Sequence, residues 1–475
     1  MSSIMEGYVS AAPARFFEEI SEIPRASYHE QGIADYLMEF AAARGLDAYR
    51  DASCNVLIKK RGSAGRESEP PLLLQAHTDM VTELAFGFEH DFKTQGLELQ
   101  RAGNILSAKG TTLGADDGFG VALMLAVLDS VASHPPIECL FTAAEEVGLV
   151  GAGAFDYSKL SAARMINFDS AEEHLVITGC CGGARTDVTL PVCFDHVRGE
   201  GIEIALHGLC GGHSGEDIHR GRANANSVMG AILKKLQKLT PFRLASIHGG
   251  DKDNAIPRDC VATVLPDDIG AAFAFFENTE VLLRELVTCA DDSARLLCVS
   301  RVSVDRVLPY GMTEQVLKVL AVKNGVLRSR ADGSPQTSRN LACVRVEDDC
   351  VVISFSSRSP DQNDLNECKQ ELAVLVEKLG GNTSHRGEYT GWESEGTSPV
   401  SLLWQDCYRA VTGRQISSTV IHAGLECGVI SSKMSGLDVI AVGCNIHDLH
   451  TPAERMELDS FERIYQTLLA FLKEC

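Results

Sequence analysis

Short, continuous apolar runs alternate with helical stretches in the first part of the chain. Leu72-Leu73-Leu74 stands inside a predicted buried strand over 71–76, and further strands are predicted over 137–142 and 164–168. Between the first two strands, residues 118–131 have the apolar content of a buried helix. Strand, turn, helix and strand in this order are typical of an α/β unit with a largely parallel or mixed sheet.

The pattern changes near residue 185 and changes back near residue 388. Amphipathic strands there alternate with isolated helices, one of which is predicted over 270–289. After residue 388 the α/β style returns, with a strand over 438–443 and a closing helix over 459–473. We therefore predict an α/β fold: a discontinuous catalytic domain (1–185 and 388–475) with a mixed, largely parallel sheet flanked by helices, plus an inserted α+β domain (186–387).

Composition narrows the class of protein. The chain has 475 residues, 45% hydrophobic and 23% charged, and its formal net charge of −22 argues against a nucleic-acid or anionic-membrane partner. Sixteen cysteines are scattered without a CxxC pair, and the first residues lack a basic stretch followed by an apolar run. No apolar run approaches the ~20 residues that span a bilayer. These features predict a cytoplasmic protein with reduced thiols and no membrane partner.

Residues with metal-binding side chains follow the predicted strands. Ligands of α/β sheets bind beyond the carboxyl ends of the strands, so side chains at those ends are expected to converge. Five such sets occur along the chain: His77 with Asp79, Asp116-Asp117, Glu145-Glu146, Asp169, and His450 after the 438–443 strand. A single acidic pair is most often a solvated surface feature, but five sets in this order predict one oxygen-rich metal site.

The side chains in these sets favour a pair of cations. Imidazole nitrogen and carboxylate oxygen suit Zn²⁺, Mn²⁺ or Co²⁺. Two cations ~3.5–4 Å apart need a carboxylate that bridges them, with a hydroxide between them as nucleophile, and Asp116 is the candidate bridge. His77, His450, Glu146 and Asp169 can then supply a terminal imidazole and a terminal carboxylate to each cation. His447 is the rival to His450.

Two further carboxylates have expected roles beside the cations. Glu145, next to Glu146, fits a general base that takes a proton from water and hands it to the leaving amine. Asp79, two residues after His77, fits an outer carboxylate that fixes the orientation and tautomer of that imidazole.

At these residues the sequence resembles the superfamily of cocatalytic-metal aminopeptidases, carboxypeptidases and aminoacylases, and within it the cytosolic aminoacyl-histidine dipeptidase branch, which includes carnosinase-like enzymes. The matching motifs include Gln75-Ala76-His77-Thr78-Asp79, Gly114-Ala115-Asp116-Asp117-Gly118, Glu145-Glu146-Val147-Gly148, Gly211-Gly212-His213-Ser214-Gly215, His422-Ala423-Gly424-Leu425-Glu426 and His450-Thr451-Pro452. Thr78 and Thr451 depart from residues common in the family, and neither departure removes a ligand.

The resemblance implies two zinc ions, with cobalt or manganese as alternatives. Asp116 would bridge them, His77 and Asp169 would hold one ion, and Glu146 and His450 the other. It further implies that the inserted domain is a lid whose His213 stabilises the oxyanion, and that Asn254, Arg358 and the backbone of Gly424 bind the terminal carboxylate of the substrate. Taken alone, His213 is better explained as a loop histidine that stabilises a turn between glycine-rich segments, and the alternative for Arg358 is a solvated arginine at a strand end.

The implied activity is metal-dependent hydrolysis of free dipeptides, Xaa-His among them. An aminoacylase or a carboxypeptidase acting on other N-acyl amino acids or dipeptides is the alternative. A nucleotide-dependent enzyme fits poorly, because Gly151-Ala152-Gly153 lacks the third glycine of a dinucleotide-binding fingerprint. The expected partner is therefore a small peptide. Two arrangements stay open: His213 serves the site of its own chain, or it serves the site of the other subunit of a homodimer.

Overall fold

The computed structural model describes residues 3–130, 133–289, 296–394 and 398–475, which divide into two compact units. The first unit comprises residues 1–180, 391–421 and 425–475, and the second comprises residues 181–390 and 422–424. The first unit is therefore made from separate parts of the chain.

Among its described residues, the first segment of the first unit contains four α-helices and eight strands. The helices are Ala11–Ser21 (α1), Gln31–Ala43 (α2), Ala115–Ser130 (α3) and Val150–Ala154 (α4), and the strands are Asp47–Arg50 (β1), Val56–Lys60 (β2), Leu72–His77 (β3), Leu99–Ala102 (β4), Ile105–Ala108 (β5), Ile137–Thr142 (β6), Arg164–Asn167 (β7) and Leu175–Cys180 (β8).

The second unit follows in the chain. Its strands are Gly182–Pro191 (β9), Asp195–His207 (β10), Gly212–His213 (β11), Phe242–Gly249 (β12), Ala255–Ile256 (β13), Cys260–Pro266 (β14), Leu296–Val307 (β15), Gly325–Ser329 (β16), Pro335–Val346 (β17), Cys350–Ser359 (β18) and Asn382–Tyr389 (β19). Its helices are Ala225–Gln237 (α5), Ile269–Phe275 (α6), Thr279–Leu286 (α7), Tyr310–Leu320 (α8) and Gln362–Lys378 (α9).

The last segment completes the first unit. Its elements are Trp392–Glu393 (β20), Pro399–Thr412 (α10), Ser417–Ile421 (β21), Glu426–Lys433 (α11), Asp438–Ala441 (β22), Ile446–His447 (β23), Arg455–Glu457 (β24) and Leu458–Glu474 (α12).

The first unit is built on a mixed sheet in the order β1-β2-β6-β3-β7-β22-β8-β20, with β21 pairing β8. The four central strands β6, β3, β7 and β22 pair in parallel, and antiparallel pairs flank them. Every residue of β3 and β6 is buried, as expected where helices cover both faces of a sheet, and the runs Leu72–Leu74 and Cys139–Phe141 within them are apolar. Strand β22 comes from the last segment and lies beside β7, so the C-terminal part of the chain completes the sheet.

Helix α3 crosses the centre of this unit. Residues 117–128 are all buried, as expected of a helix that is apolar all round. Phe119 packs edge-on against Phe168 and Phe461, which joins α3 to the end of β7 and to α12. Asp116 and Asp117, at the start of α3, have non-helical backbone angles, so the regular helix begins after the two carboxylates.

The second unit is an antiparallel sheet packed with helices. The sheet runs β15-β10-β14-β12-β17-β18-β9-β19, with β16 beside β17, and α5 and α8 pack against each other and against its strands. The α+β architecture expected of the inserted domain is thus confirmed. The single helix predicted over 270–289 is wrong, because α6 ends at Phe275 and α7 starts after Asn278, whose side chain accepts a hydrogen bond from the Val281 N–H.

No helix in the described part of the chain is long and apolar enough to cross a membrane.

Candidate metal centre

The parallel strands bring the candidate ligands to one edge of the sheet. His77 is in register with Thr142 on β6, and Gln75 two residues earlier is in register with Asn167 on β7. The segments that follow these strands carry Glu145, Glu146 and Asp169. Three unrelated stretches of sequence therefore meet because their strands are neighbours in a parallel sheet.

The candidate ligands form three overlapping groups whose donor atoms all lie within 4.8 Å of one another in each group. The groups are His77 with Glu145 and Glu146, His77 with Asp116 and Asp169, and Asp116 with Glu146 and His450. All five predicted ligands occur in these groups, and His77, Asp116 and Glu146 each occur in two of them. The donor set is nitrogen and oxygen, which is the set that Zn²⁺, Mn²⁺ and Co²⁺ accept.

Asp116 lies between the two imidazoles. Its Oδ1 is 3.0 Å from Nε2 of His77, and its Oδ2 is 3.3 Å from Nε2 of His450. Glu146 Oε1 is 3.1 Å from the same nitrogen of His450. Each oxygen of Asp116 thus faces a different imidazole.

Asp117, by contrast, points away from this cluster. Its carboxylate accepts hydrogen bonds from the backbone N–H groups of His77 at 3.3 Å and Gly120 at 3.2 Å, and it is fully buried. Of two adjacent aspartates, one faces the ligands and the other holds the backbone around them.

Asp79 lies behind His77, but its carboxylate mainly binds another segment. Nδ1 of His77 is 3.1 Å from the Asp79 carbonyl oxygen and 3.5 Å from its carboxylate. The carboxylate accepts hydrogen bonds from the N–H groups of Glu145 at 3.0 Å and Glu146 at 3.2 Å, and from the Ser27 hydroxyl at 2.7 Å. Asp79 therefore fixes both the imidazole and the segment that carries the two glutamates.

The cluster holds more negative charge than the surrounding protein neutralises. Burial raises the pKa of Glu145 and of Asp169 well above ordinary carboxyl values. Burial alone would lower the pKa of His450, but hydrogen bonds to Asp116 and Glu146 raise it to about 11. Burial alone would also lower the pKa of His77, but hydrogen bonds to Asp116 and Asp79 raise it well above its ordinary value. Buried carboxylates at this density require compensating positive charge, and divalent cations at the donor groups would supply it.

A second layer of side chains holds the turn before Asp116. Glu454 is 3% exposed and accepts hydrogen bonds from three consecutive N–H groups, those of Leu113, Gly114 and Ala115, at 2.9, 3.1 and 2.9 Å. The buried Arg25 donates to the carbonyl oxygens of Gly114 and Thr78. A Cβ on Gly114 would lie 2.5 Å from the Arg25 guanidinium, and the φ of +64° also favours glycine.

A similar layer holds the segment before Glu145. Asn55 Oδ1 accepts from the Ala143 N–H at 3.0 Å, and Glu30 accepts from the Ala144 N–H at 2.9 Å. Neither these residues nor Arg25 and Glu454 were predicted from the sequence. Only Glu454 carries a local signal, since it follows His450 by four residues; the others lie far from the ligands in the chain.

The rival ligand His447 and the glycine-rich segment both have other roles. His447 Nε2 is 2.7 Å from Glu457, and His447 belongs to none of the donor groups found among the described residues. A Cβ on Gly151 would lie 2.1 Å from the Ala143 carbonyl oxygen, so this glycine permits close packing behind the glutamates. Packing thus accounts for the glycine without a nucleotide.

The second unit contains the other predicted site residues. Nδ1 of His213 accepts from the Glu216 N–H at 3.2 Å, which leaves the imidazole proton on Nε2. Asn254 is exposed, and its carbonyl oxygen accepts from the Ser214 N–H at 2.8 Å. His213 and Asn254 lie on and beside the paired strands β11 and β13.

Arg358 and Gly424 lie together around Tyr389, a residue that no sequence motif indicated. Arg358 is 7% exposed, donates to the Tyr389 hydroxyl at 2.8 Å, and has a buried Nε without a hydrogen-bond partner among the described residues. A Cβ on Gly424 would lie 2.5 Å from the Tyr389 ring. Burial, followed by the charge of Arg358, lowers the pKa of His422 to about 3. The buried guanidinium therefore creates a positive potential suited to a carboxylate.

Comparison with known proteins gives matches along nearly the whole chain. A model of peptidase family M28 matches residues 55–178, and a model of the M20 peptidase dimerisation domain matches residues 204–295. The cytosol non-specific dipeptidase of Escherichia coli (strain K12) is 34% identical over 466 residues, which cover 96% of each chain. The chain belongs to this dipeptidase family.

Solved structures agree with this assignment to the dipeptidase family. The crystal structure of aminoacylhistidine dipeptidase from Vibrio alginolyticus is 33% identical, has a TM-score of 0.87, and matches over 99% of this chain and 98% of that one. A tripeptidase from Staphylococcus aureus shares the fold at 16% identity, with a TM-score of 0.57 over 98% of this chain and 99% of its own. The predicted fold class and the predicted resemblance to the dipeptidase branch are confirmed.

Proposed function

We propose that this member of the dipeptidase family hydrolyses the peptide bond of free dipeptides, Xaa-His among them, in a reaction that depends on two divalent cations. The observation that carries the proposal is the position of Asp116, whose two oxygens face the two imidazoles of overlapping donor groups. A peptide-bond hydrolase is also what the family assignment supports.

Two of the three donor groups support the ligand assignment. His77, Asp116 and Asp169 would hold one cation, and Asp116, Glu146 and His450 would hold the other, so that both would share Asp116. Zinc is our first choice of metal, with cobalt and manganese as alternatives, because all three accept nitrogen and oxygen donors. When bound, such a pair polarises the scissile carbonyl group and lowers the pKa of water.

We assign the role of general base to Glu145. It lies beside His77 and Glu146, and Asp79 fixes the backbone of its segment. Burial raises its pKa, and a raised carboxyl pKa suits a group that first accepts a proton from water and then donates it to the leaving amine. The acid and base steps therefore need only this one side chain.

The second unit supplies the groups for the substrate. The buried Arg358 is apt for the terminal carboxylate, because a guanidinium can bind both carboxylate oxygens through parallel hydrogen bonds. Asn254 and the backbone of Gly424 are assigned to the same carboxylate. His213, with its proton on Nε2, is assigned to the developing oxyanion, where one preorganised donor is typically worth ~2.7–4 kcal/mol.

The match to a dimerisation domain favours a homodimer, and the E. coli relative is named as a cytosol enzyme. We accordingly propose a cytoplasmic homodimer that acts on small peptides.

A substrate panel tests the function. Metal-stripped protein is assayed on β-alanyl-histidine, glycyl-histidine, leucyl-glycine and N-acetylated amino acids, before and after addition of Zn²⁺, Mn²⁺ or Co²⁺. We expect metal-dependent cleavage of the free dipeptides. Cleavage of acylated substrates alone would instead establish an aminoacylase or a related carboxypeptidase.

The Glu145→Gln variant provides the control for the chemistry. It keeps the shape of the side chain but removes the base, so turnover should fall by ~10²–10⁴-fold while two cations remain bound. Retained turnover would overturn the assignment of Glu145.

A further inference from the structure

Glu426 is a buried carboxylate to which the proposed mechanism gives no role. It is the first residue of α11, is 0% exposed, and lies in the first unit. Its Oε2 accepts hydrogen bonds from Gln75 Nε2 and from the Thr142 hydroxyl, both at 2.6 Å. Its other oxygen, Oε1, is buried and has no hydrogen-bond partner in the described part of the chain. Burying a carboxylate is costly, and burial raises the pKa of Glu426 to about 7.

The hydrogen bonds continue across three neighbouring strands. Gln75 on β3 accepts from Asn167 Nδ2 on β7 at 2.7 Å. Asn167 Oδ1 in turn accepts from the backbone N–H of Asp169 at 3.1 Å. Gln75, Thr142 and Asn167 are all fully buried. One carboxylate thus connects the carboxyl ends of β3, β6 and β7 through side chains alone.

Each of these strands carries candidate ligands just beyond the connected residue. His77 follows Gln75 by two residues, and Asp169 follows Asn167 by two. Within β3, residues two apart point to the same side of the strand, so Gln75 lies under His77. Glu145 and Glu146 follow Thr142 after a short turn. The polar layer therefore sits directly beneath the donor groups.

We propose that Glu426 is a positioning residue, which acts through Gln75, Thr142 and Asn167 to hold the ends of β3, β6 and β7 where His77, Glu145, Glu146 and Asp169 converge. This inference rests on the proposed metal-dependent function. Loss of the acceptor oxygen releases two buried donors at once, and the strand ends can then repack separately. Loss of Glu426 should therefore weaken cation binding and lower kcat, with a smaller change in KM.

Two substitutions separate the acceptor from the bulk of the side chain. Glu426→Gln keeps an oxygen for both donors, so cation affinity should stay within about threefold of the unsubstituted protein. Glu426→Leu keeps similar bulk without an acceptor, and cation affinity should fall tenfold or more, with a changed visible spectrum of the Co²⁺-loaded protein. Affinity is measured by titrating the metal-stripped protein with Zn²⁺ or Co²⁺ in a calorimeter.

Glu138 offers a matched control on β6. It is 3% exposed, and its carboxylate binds Lys59 at 2.9 Å and the Ser161 N–H at 2.9 Å, at the end of the strand opposite Thr142. Glu138→Leu should lower the thermal midpoint but leave cation affinity and the Co²⁺ spectrum unchanged. Equal losses of cation affinity in the two leucine variants would show a general structural role and overturn the proposal.

A third substitution keeps the test decisive where Glu426→Leu does not fold. Thr142→Val removes one hydroxyl from the same layer at nearly constant volume, and cation affinity should fall by about threefold to tenfold. Unchanged affinity and spectrum in Thr142→Val or in a folded Glu426→Leu would refute the inference. Failure of the unsubstituted protein to bind any cation would instead refute the proposed function.

Discussion

His450 and His447 are two histidines three residues apart with different surroundings. His450 faces Asp116 and Glu146, whereas His447 pairs with Glu457 on β24. The difference arises from backbone conformation, because His450 has a φ of +60° while His447 is part of a strand. Chain position alone could not distinguish them.

Replacing each histidine by alanine tests this difference. His450→Ala removes a terminal ligand, so the variant should bind one cation less and lose at least ~10²-fold in kcat, as expected when one of two catalytic cations is lost. His447→Ala removes only the pairing with Glu457 and should bind two cations. Metal content after gel filtration and kcat on a free dipeptide give the comparison, and two cations in His450→Ala would argue against the ligand assignment.

Gly114 shows how tightly the backbone beside Asp116 is packed. It shares a positive φ with Gly103, at +64° and +62°, but only at Gly114 would an added Cβ meet a neighbouring atom, the Arg25 guanidinium at 2.5 Å. The two glycines therefore separate backbone strain from crowding.

Alanine at each glycine should give different results. Gly103→Ala should cost about 1 kcal/mol of unfolding free energy, the usual cost of a left-handed non-glycine residue. Gly114→Ala should cost about 1–3 kcal/mol more and should also weaken cation binding, because Arg25 and the Asp116 turn must shift. Urea unfolding and cation titration measure the two effects, and equal costs at both positions would contradict the packing argument.

The central strands of the first unit could be predicted because apolar runs in the sequence indicate that they are buried. Short apolar runs within them, Leu72–Leu74 in β3 and Cys139–Phe141 in β6, indicate buried strands, and the polar residues after two parallel strands lie at one edge of the sheet. The break between α6 and α7 was missed, since the capping of α7 by Asn278 lies inside an apparently helical pattern. The contacts of Arg25 and Glu426 were missed as well, because their partners are distant in sequence; Glu426 stands in a matching motif, but the motif gives it no role.

The buried carboxylate of Glu173 links helices α10 and α12 to the segment before β8. Glu173, before β8, accepts from the Tyr408 hydroxyl at 2.8 Å and forms a two-point pair with Arg463 at 2.5 and 2.6 Å. Burial alone would raise the pKa of Glu173, but the hydrogen bonds from Arg463 and Tyr408 lower it below its ordinary value.

The sign of the pH effect follows from this lowered pKa. A carboxyl group with a lower pKa in the folded state stabilises fully above its unfolded pKa of ~4.3 and loses that contribution as pH falls through the folded value. Glu173→Gln should therefore lower the unfolding free energy by ~1.5–3 kcal/mol at pH 7, and the difference from the unsubstituted protein should shrink below about pH 4.

The control for Glu173 is the exposed pair between Asp406 and Arg409 on α10, whose side chains are 66% and 59% exposed. Asp406→Asn should change stability within experimental error at every pH, since exposed pairs contribute little. A Glu173→Gln effect that stayed constant from pH 7 to pH 3 would exclude the pairing as its cause.

At the scale of the whole molecule, cation binding and folding of the first unit should be coupled. The ligands come from segments near residues 77, 116, 146, 169 and 450, which meet only in the folded unit. A ligand that binds the folded state alone stabilises it by RT ln(1 + [L]/Kd), ~2.7 kcal/mol at a free concentration of 100 Kd. The unfolded chain gains nothing comparable, because its donors are scattered.

Chelation should therefore remove activity and lower the thermal midpoint together. For a unit of this size, ~2.7 kcal/mol corresponds to a shift of roughly 5–10 °C, read by calorimetry at one fixed scan rate. Adding back Zn²⁺, Mn²⁺ or Co²⁺ should restore both, and His450→Ala should show a smaller restored shift because one binding site is lost. Acid should weaken the restoration, since protons compete for the imidazoles and carboxylates. If chelated and cation-loaded protein unfold at the same temperature with equal activity, the metal-dependent mechanism is excluded.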